Sequence, residues 1–152
     1  MSNLTLIIPT KFEAQSLPIF LEELNKFKFK KIIVLEKDDI ITQKAISKFQ
    51  DVQLLVQKFN GYGNALIEGI QATKTEYCCI INADGSMDPK YLEDMLIKCK
   101  NIDFVFASRY LRNAGSEDDN IVTIIGNKIF TLLGNIFFKL EISDILYTYI
   151  LG

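Results

Sequence analysis

The chain has 152 residues, a formal charge of −2 and a hydrophobic share of 49%, enough for one domain with a real core and too apolar for a disordered chain. It contains no histidine, which removes the commonest general base, the commonest zinc ligand and any Ser-His or Cys-His nucleophile pair. No basic stripe is present, so nucleic acid is not expected as a partner.

In chain order, Leu4 to Ile8 is a short apolar run ending at Pro9, too short and without the basic start of a signal peptide. Leu17, Phe20, Leu21 and Leu24 recur at helical spacing. Lys31 to Leu35 reads as a second strand, Ile40 to Phe49 as a helix and Val52 to Val56 as a third strand. Asn60-Gly61-Tyr62-Gly63 is a turn signal before a helix over Ala65 to Ala72. Tyr77 to Ile81 is a fourth strand, Tyr91 to Cys99 a helix and Phe104 to Ala107 a fifth strand. Gly115 to Asn120 reads as a polar, mobile connection. Ile121 to Leu140 is the longest helical pattern; Asn127, Lys128, Asn135 and Lys139 interrupt it, so it does not read as a membrane span but as a core helix, the alternative being that Phe130, Phe137 and Phe138 meet a lipid or the membrane face. The apolar run Ile145 to Leu151 calls for a partner, the sheet or a second subunit of a homodimer. Strands alternating with helices predict an α/β fold, a mostly parallel sheet in a single domain over 1–152. Cys78, Cys79 and Cys99 follow no metal or disulfide spacing and read as buried free thiols of a cytoplasmic protein.

The polar residues that can carry chemistry fall after successive strands, where open α/β sheets bind ligands. Asn82, Ala83, Asp84, Ser86 and Asp88 follow the fourth strand. Asn82, Asp84 and Ser86 offer hard oxygens suited to Mg²⁺ or Mn²⁺ held with substrate phosphates; as a turn, the same loop has Asp88 capping a helix that opens at Pro89. Pro9 and Glu13 follow the first strand, and Glu36, Asp38 and Asp39 the second, the last two reading as a solvated acidic turn. Gly61 and Gly63 let backbone approach a ligand, and Gly69 and Ala72 let the helix pack closely on the sheet. Arg109 follows the fifth strand and has the geometry to clamp a phosphate.

Taken together, these segments resemble the family 2 glycosyltransferases of the GT-A fold, particularly polyprenyl-phosphate sugar transferases of the dolichol-phosphate mannose synthase kind. The family's P-x-x-N-E is matched by Pro9-Thr10-Lys11-Phe12-Glu13, its G-x-G-x-A by Gly61-Tyr62-Gly63-Asn64-Ala65, its D-A-D by Asn82-Ala83-Asp84 and its G-S-R-Y by Ala107-Ser108-Arg109-Tyr110. A later Asn and Asp are matched by Asn127 and Asp144. The chain departs from the pattern at Phe12 (Asn in the family), at Glu36-Lys37 (Asp-Asp), at Asn82 (Asp) and over Ile145 to Tyr149, where the family has a T-S-G-F-like turn. Family catalytic domains continue past the point corresponding to Gly152, so the resemblance implies a shortened GT-A domain.

The resemblance implies a three-layer αβα sandwich and an inverting, metal-dependent transfer of a sugar from a GDP- or UDP-sugar to an acceptor, such as a polyprenyl phosphate at the inner membrane face. Pro9, Glu13, Glu36, Gly61, Gly63, Asn82, Ala83, Asp84 and Arg109 would bind the donor. Asp84, Asn82 and Ser86 would hold Mg²⁺ or Mn²⁺, and Asp144 would be the catalytic residue on the acceptor side. Two other classes remain open at this point: a catalytically inactive nucleotide-sugar-binding or scaffold protein, and a nucleotidyltransferase or dinucleotide enzyme on a related sheet.

Overall fold

Seven residues in a row, Leu4–Thr10, are buried and form β1. A strand covered on both faces is apolar throughout rather than alternating. The computed structural model describes residues 3–111, 114–115 and 120–152. In it β1 joins β2 (Lys30–Leu35), β3 (Val52–Val56), β4 (Tyr77–Ile80), β5 (Val105–Phe106) and β6 (Ile150–Leu151) in one sheet of order β3-β2-β1-β4-β6-β5. β1 pairs in parallel with β2 and β4, and β2 with β3. β6 runs antiparallel to both β4 and β5.

Side-chain alternation divides the sheet into two faces. Leu4, Leu6 and Ile8 pack with Leu17, Leu21 and Leu24 of α1 (Ser16–Leu24) and with Leu92 and Met95 of α4 (Leu92–Lys98). Ile7, Ile32 and Val34 face the other way, onto Ala65 of α3 (Tyr62–Ala72). The result is the expected three-layer α/β arrangement. Close approach on the α3 side depends on Gly69, where a Cβ would stand 2.4 Å from Ile7 Cγ2.

Several elements depart from the expected bounds. α2 covers Ile40–Ala45 and stops short of Phe49. α3 starts at Tyr62, three residues early, because Gly61 at φ +113° turns the chain straight into the helix. Asp88 does cap the turn at Pro89, but Pro89–Tyr91 is a 3-10 turn ahead of α4. β5 is two residues long because it pairs only with the two-residue β6. The expected connection Gly115 to Asn120 falls mostly on 116–119, outside the described residues. The run Ile145 to Leu151 does pack within the chain, its end forming β6.

The helix expected in the core is elsewhere. α5 (Ile121–Phe138) buries Asn127, Thr131 and Gly134, while Ile121, Val122, Phe137 and Phe138 are 73–78% exposed. Its polar stripe is the one with bonds to make. Thr131 Oγ1 accepts from the Ile145 amide and Asn127 Oδ1 from the Leu146 amide, and at Gly134 a Cβ would lie 2.4 Å from Ile145 Cδ1. Because the remaining faces are apolar, hydropathy points away from the stripe that is buried.

Candidate functional site

The parallel strands β1, β2 and β4 all end on one edge of the sheet, and the loops that follow them enclose a cavity of about 250 Å³. Pro9 and Glu13 enter from β1, Glu36 from β2, Gly61 from the start of α3, and Asn82, Ala83 and Asp84 from β4. Gly63 does not line it. An adjoining cavity of about 510 Å³ shares Asn82 and Asp84 and adds Ser86, Arg109, Tyr147 and Thr148. Glu13, Glu36 and Asp84 therefore meet in one cavity, and Arg109 faces the next, across Asp84.

The acidic side chains are held in different ways. Glu36, with a side chain 13% exposed, pairs with Lys11 at 3.1 Å. Glu13 accepts from the Ser16 hydroxyl. Asp84 is exposed, and its Oδ1 takes the Ser86 amide at 2.9 Å in a turn that Gly85 permits at φ +77°. Asp39 corrects the reading of a solvated acidic turn. It is buried, it caps α2 through the Thr42 amide, and it accepts from the Phe12 amide at 2.7 Å. Asp38 is the exposed member of the pair.

Asp144 is buried at 1% exposure and surrounded by donors. Arg109 Nε and its backbone amide reach Oδ2 at 2.9 and 3.1 Å, while Arg109 Nη2 and Asn127 Nδ2 reach Oδ1 at 3.0 and 2.6 Å. Burial alone would raise the Asp144 pKa. The Arg109 and Asn127 bonds outweigh it and hold the carboxyl below its usual value. The Arg109 guanidinium lies 5.1 Å from the Tyr147 ring centroid, so it is fixed from two sides.

Three tyrosines tie these loops together, and sequence reasoning missed all of them. Tyr147 donates to the Ser86 carbonyl and Tyr149 to the Asp88 carbonyl. The Tyr62 hydroxyl donates to Asn82 Oδ1 at 3.1 Å and shares a 2.8 Å hydrogen bond with Thr148. Burial raises the Tyr62 pKa and the nearby Asp84 charge adds to this, against the Thr148 bond, so the group stays a neutral hydroxyl. The one available signal was the aromatic residue inside Gly61-Tyr62-Gly63, and no spacing rule says where such a ring points.

Among the described residues no three His, Cys, Asp or Glu side chains gather as a metal cage. The donor set is one exposed carboxylate, Asp84, beside Ser86 and an amide whose oxygen Tyr62 already engages. One carboxylate fits Mg²⁺ or Mn²⁺ shared with substrate phosphates, a common way of holding Mg²⁺.

The model of glycosyl transferase family 2 matches residues 5–152. Among solved structures, a 4-diphosphocytidyl-2C-methyl-D-erythritol synthase is similar at a TM-score of 0.54 and 14% identity, covering 76% of this chain and 64% of its own. A CMP:2-keto-3-deoxy-manno-octonic acid synthetase complexed with CTP matches at 0.53 and 10% identity, over 67% of this chain and 49% of its own. Residues 1–349 of S. aureus TarS match at 0.53 and 13% identity, over 74% and 38%. The chain thus spans less than two thirds of each of these proteins, and at such identities the likeness is one of fold. The family match, covering nearly every residue and joined to a sheet whose family motifs meet at its carboxyl edge, shows that this chain belongs to glycosyl transferase family 2.

Proposed function

We propose that this chain binds a nucleoside diphosphate sugar and transfers the sugar to an acceptor, with a lipid phosphate as the acceptor class. The observation that carries the reading is the meeting of Glu13, Glu36 and Asp84 in one cavity, with Arg109 across Asp84 in the next. The nucleoside occupies the smaller cavity, where Glu36 and Glu13 accept hydrogen bonds from its hydroxyl or N–H groups. The diphosphate lies over Asp84 and reaches toward Arg109. A divalent cation on Asp84 would supply charge neutralisation for the leaving diphosphate. Arg109 adds a fixed positive charge at the same place, where charge grows as the sugar departs.

Asp144 takes a supporting role in this mechanism. Its oxygens already accept from four donors, so it orients Arg109 rather than receiving a proton. A phosphate acceptor is ionised at neutral pH and needs no base. α5 supports a lipid acceptor at a membrane face. It is 18 residues long with a hydropathy of 1.6, 17% of it is buried, and its Asn127 touches the residue that holds Arg109. An amphiphile lying along Phe130, Phe137 and Phe138 would have its phosphate drawn to the Arg109 cavity, and Lys128 and Lys139 suit anionic headgroups.

Calorimetry with UDP, GDP, CDP and ADP in Mg²⁺ or Mn²⁺ tests the donor reading. One nucleoside diphosphate binds, and Asp84→Ala and Glu36→Gln each weaken it about tenfold or more. No binding by any of the four would overturn it. A second reading, a binding protein without turnover, is favoured by Asn82 standing where the family has a carboxylate. Tight nucleotide-sugar binding with no transfer to polyprenyl phosphate would select it.

A further inference from the structure

An amide has one accepting end and one donating end. At Asn82 the accepting end is engaged, since the Tyr62 hydroxyl donates to Oδ1 at 3.1 Å and is itself tied to Thr148 Oγ1 at 2.8 Å. Among the described residues no acceptor takes the N–H bonds of Asn82 Nδ2. Asn82 lines both cavities, on the path that a diphosphate must follow from Glu36 toward Arg109. Tyr62 lines the first and Thr148 the second, so their hydrogen bond bridges the boundary between the two.

We infer that Asn82 is a diphosphate-binding amide donor and not a metal ligand, and that Tyr62 is the positioning residue that turns its N–H bonds toward the donor. This rests on the donor-site reading above. Phosphate oxygens accept charge-assisted hydrogen bonds, which need no counter-ion. A carboxylate at the same position would repel the diphosphate unless a cation stood between them. Tyr62 and Asn82 thus lower the dependence of donor binding on a divalent cation, leaving Asp84 as the single cation-binding carboxylate.

The test is calorimetry of UDP and GDP with the full chain, in excess EDTA and in Mg²⁺, for wild type, Tyr62→Phe and Asn82→Asp, with melting curves confirming that each is folded. For wild type, removing Mg²⁺ weakens binding less than it does for Asn82→Asp, because Asp84 alone is then left facing the diphosphate without its cation. Asn82→Asp weakens binding in EDTA by about tenfold or more and recovers in Mg²⁺. Tyr62→Phe frees the amide to turn its oxygen to the cation and also raises the Mg²⁺-to-EDTA affinity ratio. Should Tyr62→Phe not fold, Asn82→Asp decides alone. Equal ratios in wild type and Asn82→Asp would overturn the amide assignment while leaving the donor site standing. Absence of binding in every condition would overturn the donor site, and this inference with it.

Discussion

Asp39 holds Phe12 in place, its Oδ2 accepting the Phe12 amide at 2.7 Å. Phe12 sits at φ +58°, in left-handed backbone that a bulky residue rarely adopts, and the residue is 64% exposed. The buried carboxylate is thus the clamp on a strained loop between Pro9 and Glu13, both of which line the donor cavity. Two substitutions should move stability in opposite directions. Phe12→Asn relieves the backbone and raises stability by about 1 kcal/mol, or about 2–4 °C in Tm. Asp39→Ala removes the clamp and the α2 cap together and costs about 2–3 kcal/mol. Thermal melts of the two variants check both signs.

Asp144 gives a pH prediction. Its folded pKa lies below the unfolded value of about 3.9. Its contribution to stability is therefore complete above that value and fades as pH falls through the folded pKa. Asp144→Asn removes the buried charge that faces the Arg109 guanidinium and should cost about 3 kcal/mol or more at pH 7. Denaturant melts from pH 7 down to about pH 3 should show wild type and variant converging at the acid end. A constant gap across that range would mean that the pair contributes nothing through charge.

Two glycines with the same nominal clash should respond differently. A Cβ at Gly69 meets Ile7 Cγ2 at 2.4 Å and Val34 Cγ2 at 3.2 Å, both on stiff β-branched side chains of buried strands. A Cβ at Gly134 meets the flexible tip of Ile145 at 2.4 Å, next to an exposed helix face. Gly69→Ala should destabilise by about 1–3 kcal/mol. Gly134→Ala should come out near neutral, because a gain in helix propensity of about 1 kcal/mol offsets a small rearrangement. Urea midpoints for both variants decide it.

The exposed face of α5 predicts membrane binding. Sedimentation with vesicles containing anionic lipid should pull down wild type, and the double variant Phe137→Ser, Phe138→Ser should stay in the supernatant with an unchanged melt. Raising salt should weaken binding only in part, since burial of the two rings is insensitive to screening. Equal sedimentation of both proteins would remove α5 from the acceptor side.

Much of the fold could be read from strand and turn chemistry. β1 to β4 were legible because runs such as Tyr77 to Ile81 are apolar and end at abrupt stops, and a residue just past such a stop lies on the carboxyl edge. The placement of Pro9, Glu36 and Asp84 followed from that. Contacts that depend on distant segments were not legible. Asp39 looked like a surface residue because its partner, Phe12, comes from a different strand-end loop. Tyr62 and Thr148 act through hydrogen bonds that leave no periodic trace, and Asn127, matched to the family pattern, gave no sign that it would bond both Asp144 and Leu146. α5 was misplaced because its buried stripe is polar, the reverse of the pattern on which hydrophobic periodicity relies.

β6 gives the two halves of the sheet different lifetimes. β1 to β4 are zipped by long parallel ladders, whereas β5 is attached to them through the short β6 and its neighbours Tyr149 and Gly152. Opening at β6 would detach β5, and with it the Arg109–Asp144 cluster, while the nucleoside end of the cleft kept its shape. Sub-global openings follow such seams. In hydrogen exchange the amides of Val105 and Leu151 should therefore exchange well before those of Ile7 and Ile33, and the larger cavity should breathe on a faster clock than the smaller one.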